Sequence, residues 1–422
     1  MNFEYFTPTK VVFGRGTEEK TGELVREQGG HKVLIHYGGG SVVRAGLLDK
    51  SCRSLEEAGL SYVLLGGVVP NPRLSKVREG IRLCREEHVD FLLAVGGGSV
   101  IDSTKAIGYG LANEGDVWDF YDRKRQAAGC MPLGAVLTIA AAGSEMSDSS
   151  VITNEDGWIK RGYSSNYCRC RFAVMDPELT YTLPDYQTQS GCVDIMMHTM
   201  ERYFNRSDNM EMTDGISEAL IRTVMKNAKI LKQNPYDYNA RAEVMWASSL
   251  SHNGLTGCGT GGGDWASHQI EHELGGMFDV AHGAGLAAIW GSWARYVYRE
   301  YPERFARFAG QIFDLGKVTE KDVERDIEKD VEKGVETGIE KNTEKDMLKD
   351  VEILALAGIE KMEAFYRSVG MPTNLKELGI EPTEAQMHEM AQKCSFFGQR
   401  TVGVIKKLTV KDVEEIYRMA RG

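Results

Sequence analysis

Short apolar runs that end abruptly in glycine or turn residues organise the first part of the chain. Val33-Leu34-Ile35-His36-Tyr37 runs into Gly38-Gly39-Gly40-Ser41, and Tyr62-Val63-Leu64-Leu65 runs into Gly66-Gly67 and then Pro70-Asn71-Pro72. Phe91-Leu92-Leu93-Ala94-Val95 meets Gly96-Gly97-Gly98-Ser99, and Leu133-Gly134-Ala135-Val136-Leu137 leads to Thr138 and to Ala142-Gly143-Ser144-Glu145. Runs of this length predict strands, and the helical patterns between them predict a parallel sheet wrapped by helices. Open α/β sheets hold ligands at the carboxyl ends of their strands, where these glycines fall. From about Leu183-Pro184 the pattern changes to long helical periods with few strand signals. Two domains are expected, an α/β domain over 1–184 and a helical one over 185–422.

Residues 321–352 read as consecutive tetrads: KDVE, RDIE, KDVE, KGVE, TGIE, KNTE, KDML, KDVE. A four-residue period advances about 400° on an α-helix, so a Val/Ile stripe drifts about 40° per repeat and cannot stay on one face. Opposite charges meet at i, i+3, like charges align at i, i+4, and Gly334 and Gly338 weaken the middle. A solvent-exposed helical insertion is expected here, in preference to a partner-binding helix.

Composition narrows the function. At 422 residues the chain is long for one core, and 42% hydrophobic with 26% charged residues is ordinary for a soluble globular protein. A net charge of −11 argues against a nucleic-acid partner. No stretch approaches the ~20 apolar residues of a membrane span. Met1-Asn2-Phe3-Glu4-Tyr5 lacks the basic and apolar regions of a signal peptide. The eight cysteines form no CxxC pair, so reduced thiols and a cytoplasmic setting are expected.

Two constellations carry chemistry. Gly96-Gly97-Gly98-Ser99-Val100-Ile101-Asp102 follows a strand and opens a helix. Glycines there let backbone N–H groups approach a pyrophosphate, and the helix N-terminus adds partial positive charge. The second glycine turn, Gly38 to Ser41, has no Asp or Glu before Asp49. A carboxylate at that place binds a ribose 2′-hydroxyl and repels a 2′-phosphate, so its lack leaves room for NADP, with Ser41 as a hydrogen-bond donor.

The other constellation is Asp194-Ile-Met-Met-His198, His268-Gln-Ile-Glu271-His272 and His282. An i, i+4 pair shares one helix face, so Asp194 and His198 can grip one ion, joined by His268 and His282. One carboxylate with imidazoles suits iron or zinc. His268 to His272 also matches H-x-x-E-H, an inverted zinc-peptidase motif in which Glu271 activates water. That reading leaves Asp194, His198, His282 and the glycine turns unused. In a redox reading His272 stands one helical turn from His268, near the reacting atoms. Unconnected core and surface histidines are the third option.

In order along the chain, Pro8-Thr9-Lys10-Val11-Val12-Phe13-Gly14, Gly38 to Ser41, Pro70-Asn71-Pro72, Gly96 to Asp102, Ala142-Gly143-Ser144-Glu145-Met146-Ser147, Asp194 to His198, Ser267 to His272 and His282-Gly283-Ala284-Gly285 resemble the iron-containing (group III) alcohol dehydrogenase family, NADPH-dependent butanol dehydrogenase branch. The resemblance covers nearly the whole chain outside the tetrads. It implies a Rossmann-like N-terminal domain, an all-α C-terminal domain and a site in the cleft between them. It implies Asp194, His198, His268 and His282 as ligands of Fe²⁺, or Zn²⁺ in some members, with His272 beside the nicotinamide as proton relay and Glu271 a bystander. Asn71, Gly97, Gly98, Ser99, Asp102, Thr138, Ser147 and Lys160 are implied to line the site of NADP(H) or NAD(H), with Gly39, Gly40 and Ser41 at the adenosine end. Short-chain primary alcohols and aldehydes such as butanol and butanal are the implied substrates, and a homodimer the implied assembly. Ala142 departs from the family's T-G-S-E turn, which has threonine there.

Overall fold

Each of the four glycine- or turn-ended runs is a strand in a computed structural model of the chain, which describes residues 2–207, 210–316 and 344–422. One sheet contains β1 (Lys10–Phe13), β2 (Lys32–Tyr37), β3 (Ser61–Leu65), β4 (Phe91–Gly96) and β5 (Leu133–Leu137). A separate antiparallel hairpin, β6 (Ser149–Asn154) with β7 (Ile159–Ser164), precedes the sheet's last strand, β8 (Phe172–Met175). The order in the sheet is β1-β8-β5-β4-β2-β3, with every neighbouring pair parallel. All residues of β4 are buried, as a central parallel strand covered on both faces requires.

Alternate residues of the strands feed two cores. Leu34, Leu92, Ala94 and Ala135 pack with α4 (Leu74–Glu86) and α5 (Gly98–Ala112). Val33, Ile35, Phe91, Leu93 and Val95 pack with α1 (Thr21–Glu27) and α3 (Leu47–Glu57). Two short helices, α2 (Gly40–Arg44) and α6 (Trp118–Tyr121), fill connections.

The helical half begins at Asp185. It comprises α7 (Asp185–Tyr203), α8 (Glu211–Gln233), α9 (Tyr238–His252), α10 (Ala266–Phe278), α11 (His282–Val297), α12 (Pro302–Phe313), α13 (Glu344–Ser368), α14 (Glu384–Cys394) and α15 (Val410–Met419). α7 is buried on every side from Thr188 to Tyr203, and α8, α9 and α11 pack around it. Its polar residues therefore have to find partners inside the protein. The core of α4 and α5 continues without a break into that of α7 to α11.

β1, β8 and the hairpin are strands that the apolar pattern does not signal. The first two have four residues each, and β7, Ile-Lys-Arg-Gly-Tyr-Ser, is mostly polar. The hairpin lies against α5 and α10, which places Lys160 and Arg161 between the halves. Residues 321–343 of the tetrads lie outside the described residues, and 344–352 open α13. Among the described residues no helix is long and apolar enough to cross a membrane.

Candidate active site

The buried helix α7 presents Asp194 and His198 one turn apart, α10 presents His268 and His272 in the same way, and His282 is the first residue of α11. Each ring except that of His272 has its Nδ1 occupied. His198 Nδ1 lies 3.0 Å from the Asp194 carbonyl and 3.0 Å from Asp194 Oδ1. His268 Nδ1 donates to Glu201 Oε1 at 2.9 Å, and His282 Nδ1 makes a very short contact to Glu271 Oε2. For His268 and His282 these bonds fix the tautomer and turn Nε2 toward Asp194. His268 Nε2 and His282 Nε2 come to 3.9 and 3.8 Å from Asp194 Oδ1.

The donor atoms of Asp194, His268 and His282 all lie within 4.8 Å of one another. Asp194 Oδ1 and His268 Nε2 are buried and neither is in a hydrogen bond, because His198 Nδ1, although close to Oδ1, bonds the Asp194 carbonyl instead. Leaving such atoms unsatisfied costs on the order of 1–3 kcal/mol each. Donors nearly 4 Å apart, too far to bond each other, suit a common ion with bonds of roughly 2.0–2.2 Å. The donor set therefore fits a divalent metal. His198 stands beside this tight group, its ring centroid 4.5 Å from that of His268 and 4.1 Å from that of His252.

Charge follows the same geometry. Burial pushes the Asp194 carboxyl up, but His198 and His282 outweigh it and hold the group well below its usual range. Burial pushes His268 down, and the neighbouring carboxylates of Asp194 and Glu201 more than reverse this, to about 9. His198 falls to about 4, chiefly through burial. Half-buried His272 is pushed well below the imidazole range by desolvation first and then by Lys160 and His282. It is thus a neutral ring at neutral pH, not the imidazole of pKa ~6.5 that an unperturbed relay offers.

A cleft of about 860 Å³ joins this group to the sheet. Asn71, Gly97, Gly98, Ser99, Asp102, Ser147 and Lys160 line it together with Asp194, His198, His268, His272 and His282. Gly97 caps α5, and a Cβ there would meet Ile139 Cγ2 at 2.1 Å, so any larger residue would have to displace the Ile139 side chain. That leaves bare N–H groups at a helix N-terminus, an arrangement that fits a dinucleotide's phosphates. Asn71, itself left-handed at φ 53, donates to Asp279 Oδ1 at 2.9 Å and ties the β3 loop to the end of α10.

Thr138, Gly39, Gly40 and Ser41 do not line the cleft. Thr138 follows β5, its N–H bonded to the Gly96 carbonyl. Gly39 to Ser41 are exposed at the end of β2, which pairs with β4, so their turn borders the Gly96 turn.

Four residues matter here that the sequence reading passes over or sets aside. Glu201 holds His268. Glu271, far from a bystander, holds His282 and lies 3.5 Å from Lys160 Nζ. His252 packs on His198. Lys105, fully buried, donates to the carbonyls of Ser144, Ser147 and Ser149 at 2.7, 3.0 and 2.8 Å and shapes the loop beside the cleft. Asp102 accepts from Ser144 Oγ at 2.5 Å and from the Val151 N–H at 2.9 Å, so its two oxygens join this loop to the strand β6 that follows it.

The peptidase reading fails on this geometry. Glu271 is committed to His282 and Lys160, and neither group of convergent metal-binding atoms contains both His268 and His272. Comparison with known proteins agrees. The family "Iron-containing alcohol dehydrogenase" matches residues 8–177, and "Fe-containing alcohol dehydrogenase family, C-terminal" matches 188–357. A probable NADH-dependent butanol dehydrogenase of Bacillus subtilis is 38% identical over 99% of both chains. The NADPH-dependent aldehyde reductase YqhD of Escherichia coli is 30% identical over 100% of both. The crystal structure of an NADH-dependent butanol dehydrogenase A from Thermotoga maritima superposes with a TM-score of 0.88 at 38% identity, covering 100% of this chain and 99% of that one. With both halves matched and relatives of this identity spanning its full length, the chain belongs to the iron-containing alcohol dehydrogenase family.

Proposed function

We propose that the cleft interconverts short-chain aldehydes, such as butanal, and primary alcohols with NAD(P)H, its metal held by Asp194, His198, His268 and His282. The observation that supports this most is the pair of buried, unpartnered atoms, Asp194 Oδ1 and His268 Nε2, facing one point at the end of a glycine-turn cleft. When bound, Fe²⁺ (or Zn²⁺) supplies Lewis acidity and the dihydronicotinamide supplies the hydride.

The protein's own part is positioning and proton traffic. Glu201 and Glu271 lock the tautomers of His268 and His282. Gly97, Gly98 and Ser99 receive the coenzyme's phosphates on the N-terminus of α5, and Asn71 and Lys160 flank the reacting end. His272, a neutral ring lining the cleft, is the group placed to take up the hydroxyl proton during alcohol oxidation, and its lowered basicity makes it release that proton at once to solvent.

For the coenzyme we assign a preference for NADP(H) over NAD(H). Exposed Ser41 and Arg44 on α2 offer a donor and a cation, with no carboxylate in the turn. The butanol dehydrogenase relatives are named for NADH and the reductase for NADPH, so the ratio of kcat/KM for the two coenzymes decides this. The test of the whole reading is metal analysis of anaerobically purified protein together with loss of NAD(P)H absorbance on adding butanal. Stoichiometric metal and turnover are expected. Metal without turnover of any aldehyde would mark a non-catalytic scaffold.

A further inference from the structure

One wall of the cleft gathers cations that neither the metal-binding group nor the glycine turn uses. Arg123, Arg161, Lys393 and Arg400 all line it. They come from separate places in the fold: the turn after α6, β7, the last turn of α14 and the segment after it. Three of them converge on one ring, with the guanidinium carbons of Arg161, Arg400 and Arg123 at 3.7, 4.0 and 4.7 Å from the centroid of Phe396. Phe396 and Phe397 have φ of 53° and 57°, a left-handed backbone that bulky residues seldom adopt. Strain of this kind persists only where the surroundings enforce it, and ligand clamps are where it collects.

The local carboxylates leave part of this charge uncompensated. Arg161 pairs with Asp122 at 2.7 Å and Lys393 with Glu389 at 2.6 Å. Among the described residues neither Arg123 nor Arg400 has a carboxylate partner; Arg400 donates to the Cys394 carbonyl instead. The buried carboxyl nearest in charge, Glu273, is pushed up to about 8 by desolvation and so stays protonated at neutral pH. Burial, with repulsion from Arg123 and Arg161 added, brings Arg400 down to about 10.

Position says which molecule supplies the anion. Arg400 and Lys160 both bear electrostatically on His272, at the reacting end of the cleft. The phosphates of a coenzyme belong to the other feature, the turn at the N-terminus of α5. We propose that this wall binds an anionic group on the carbonyl compound, so that the preferred substrates are short-chain aldehydes or alcohols ending in a carboxylate or phosphate. The planar guanidinium fork matches either group with paired hydrogen bonds. The inference rests on the dehydrogenase reading above, and the reaction balances in the same way: RCHO + NAD(P)H + H⁺ gives RCH₂OH + NAD(P)⁺, with the anionic end of R untouched.

The test uses the metal-loaded enzyme and two matched pairs, 4-oxobutanoate against butanal and glyceraldehyde 3-phosphate against glyceraldehyde. In one pair kcat/KM should favour the anionic member by at least about tenfold, since a site built around polar groups rejects an analogue that leaves them unpaired. The favoured pair tells carboxylate from phosphate. Arg400→Met should erase most of that ratio and Arg400→Lys should restore part of it. Arg123→Ala, at an exposed position with little bearing on folding, should lower the ratio several-fold. No anionic preference, or variants that slow both members of a pair equally, would overturn the inference while butanal turnover leaves the dehydrogenase reading standing. A rise in KM for NADPH alone would assign the wall to the coenzyme and overturn it too. If no aldehyde is turned over, both readings fall together.

Discussion

Glu201 holds His268 at two points: one carboxylate oxygen accepts from the backbone N–H of His268 at 2.8 Å and from its ring Nδ1 at 2.9 Å. The ring can then neither rotate nor change tautomer, and Nε2 is left facing Asp194. Both residues are buried, so water cannot replace the bond. Glu201→Ala should weaken metal binding about 10–100-fold, the usual cost of losing a partner behind a ligand. Competition against a chelator measures this, and unchanged affinity would show that the ring is held by packing alone.

Glu271 carries a different load, because its removal strands a cation. Lys160 Nζ lies 3.5 Å from it, and both side chains are buried. Breaking a buried pair from one side costs about 3–5 kcal/mol. Glu271→Ala should destabilise the apoprotein by that order in urea unfolding. The double variant with Lys160→Met should recover part of the loss, because no unpaired charge remains. Additive losses would mean that the two residues are not coupled.

Four of the six sheet strands were legible, because each is an apolar run closed by glycine or turn residues, and so was the histidine cluster, because i, i+4 pairs declare a helix face. What escaped did so for physical reasons. β1 and β8 are too short for alternation to show, and the hairpin β6–β7 is polar because one side of it faces the cleft. Glu201 was in principle visible, three residues after His198 on the same helix, yet carboxylates at such spacing are common on solvated faces. Only the burial of α7 tells them apart. Lys105 sits in an apolar helix with no local hint that three loop carbonyls await it. Phe396 and its three arginines are scattered over elements that only tertiary structure brings together.

Glu273 predicts a pH effect. Its folded pKa is about 8 against an ordinary 4.5, chiefly through burial. Between these values the folded protein keeps a proton that the unfolded chain has released. Stability therefore falls as pH rises from 4.5 towards 8, by at most about 1.4 kcal/mol per unit, and levels off above. Glu273→Gln, which holds no titrating proton, should gain on the parent protein as pH rises through that window. Urea midpoints of the two proteins at pH 6 and pH 9 make the comparison. A difference that is the same at both would refute the raised pKa.

Gly283 follows His282 directly, and a Cβ on it would stand 1.9 Å from the carbonyl oxygen of Ser190, one turn before Asp194 on α7. The missing side chain is what lets the start of α11 dock on α7 and brings His282 to 3.8 Å from Asp194. Because the obstacle is backbone, it cannot rotate aside. Gly283→Ala should push α11 outward and lower both metal content and turnover, although residue 283 is itself no ligand. Helix propensity alone argues the opposite, since alanine is better than glycine in a helix by roughly 1 kcal/mol. Gly215→Ala isolates that propensity: Gly215 is exposed on α8 with nothing within 4 Å of its would-be Cβ, and the substitution should stabilise the protein. If Gly283→Ala retains stoichiometric metal and stabilises as Gly215→Ala does, close helix contact is not what positions His282.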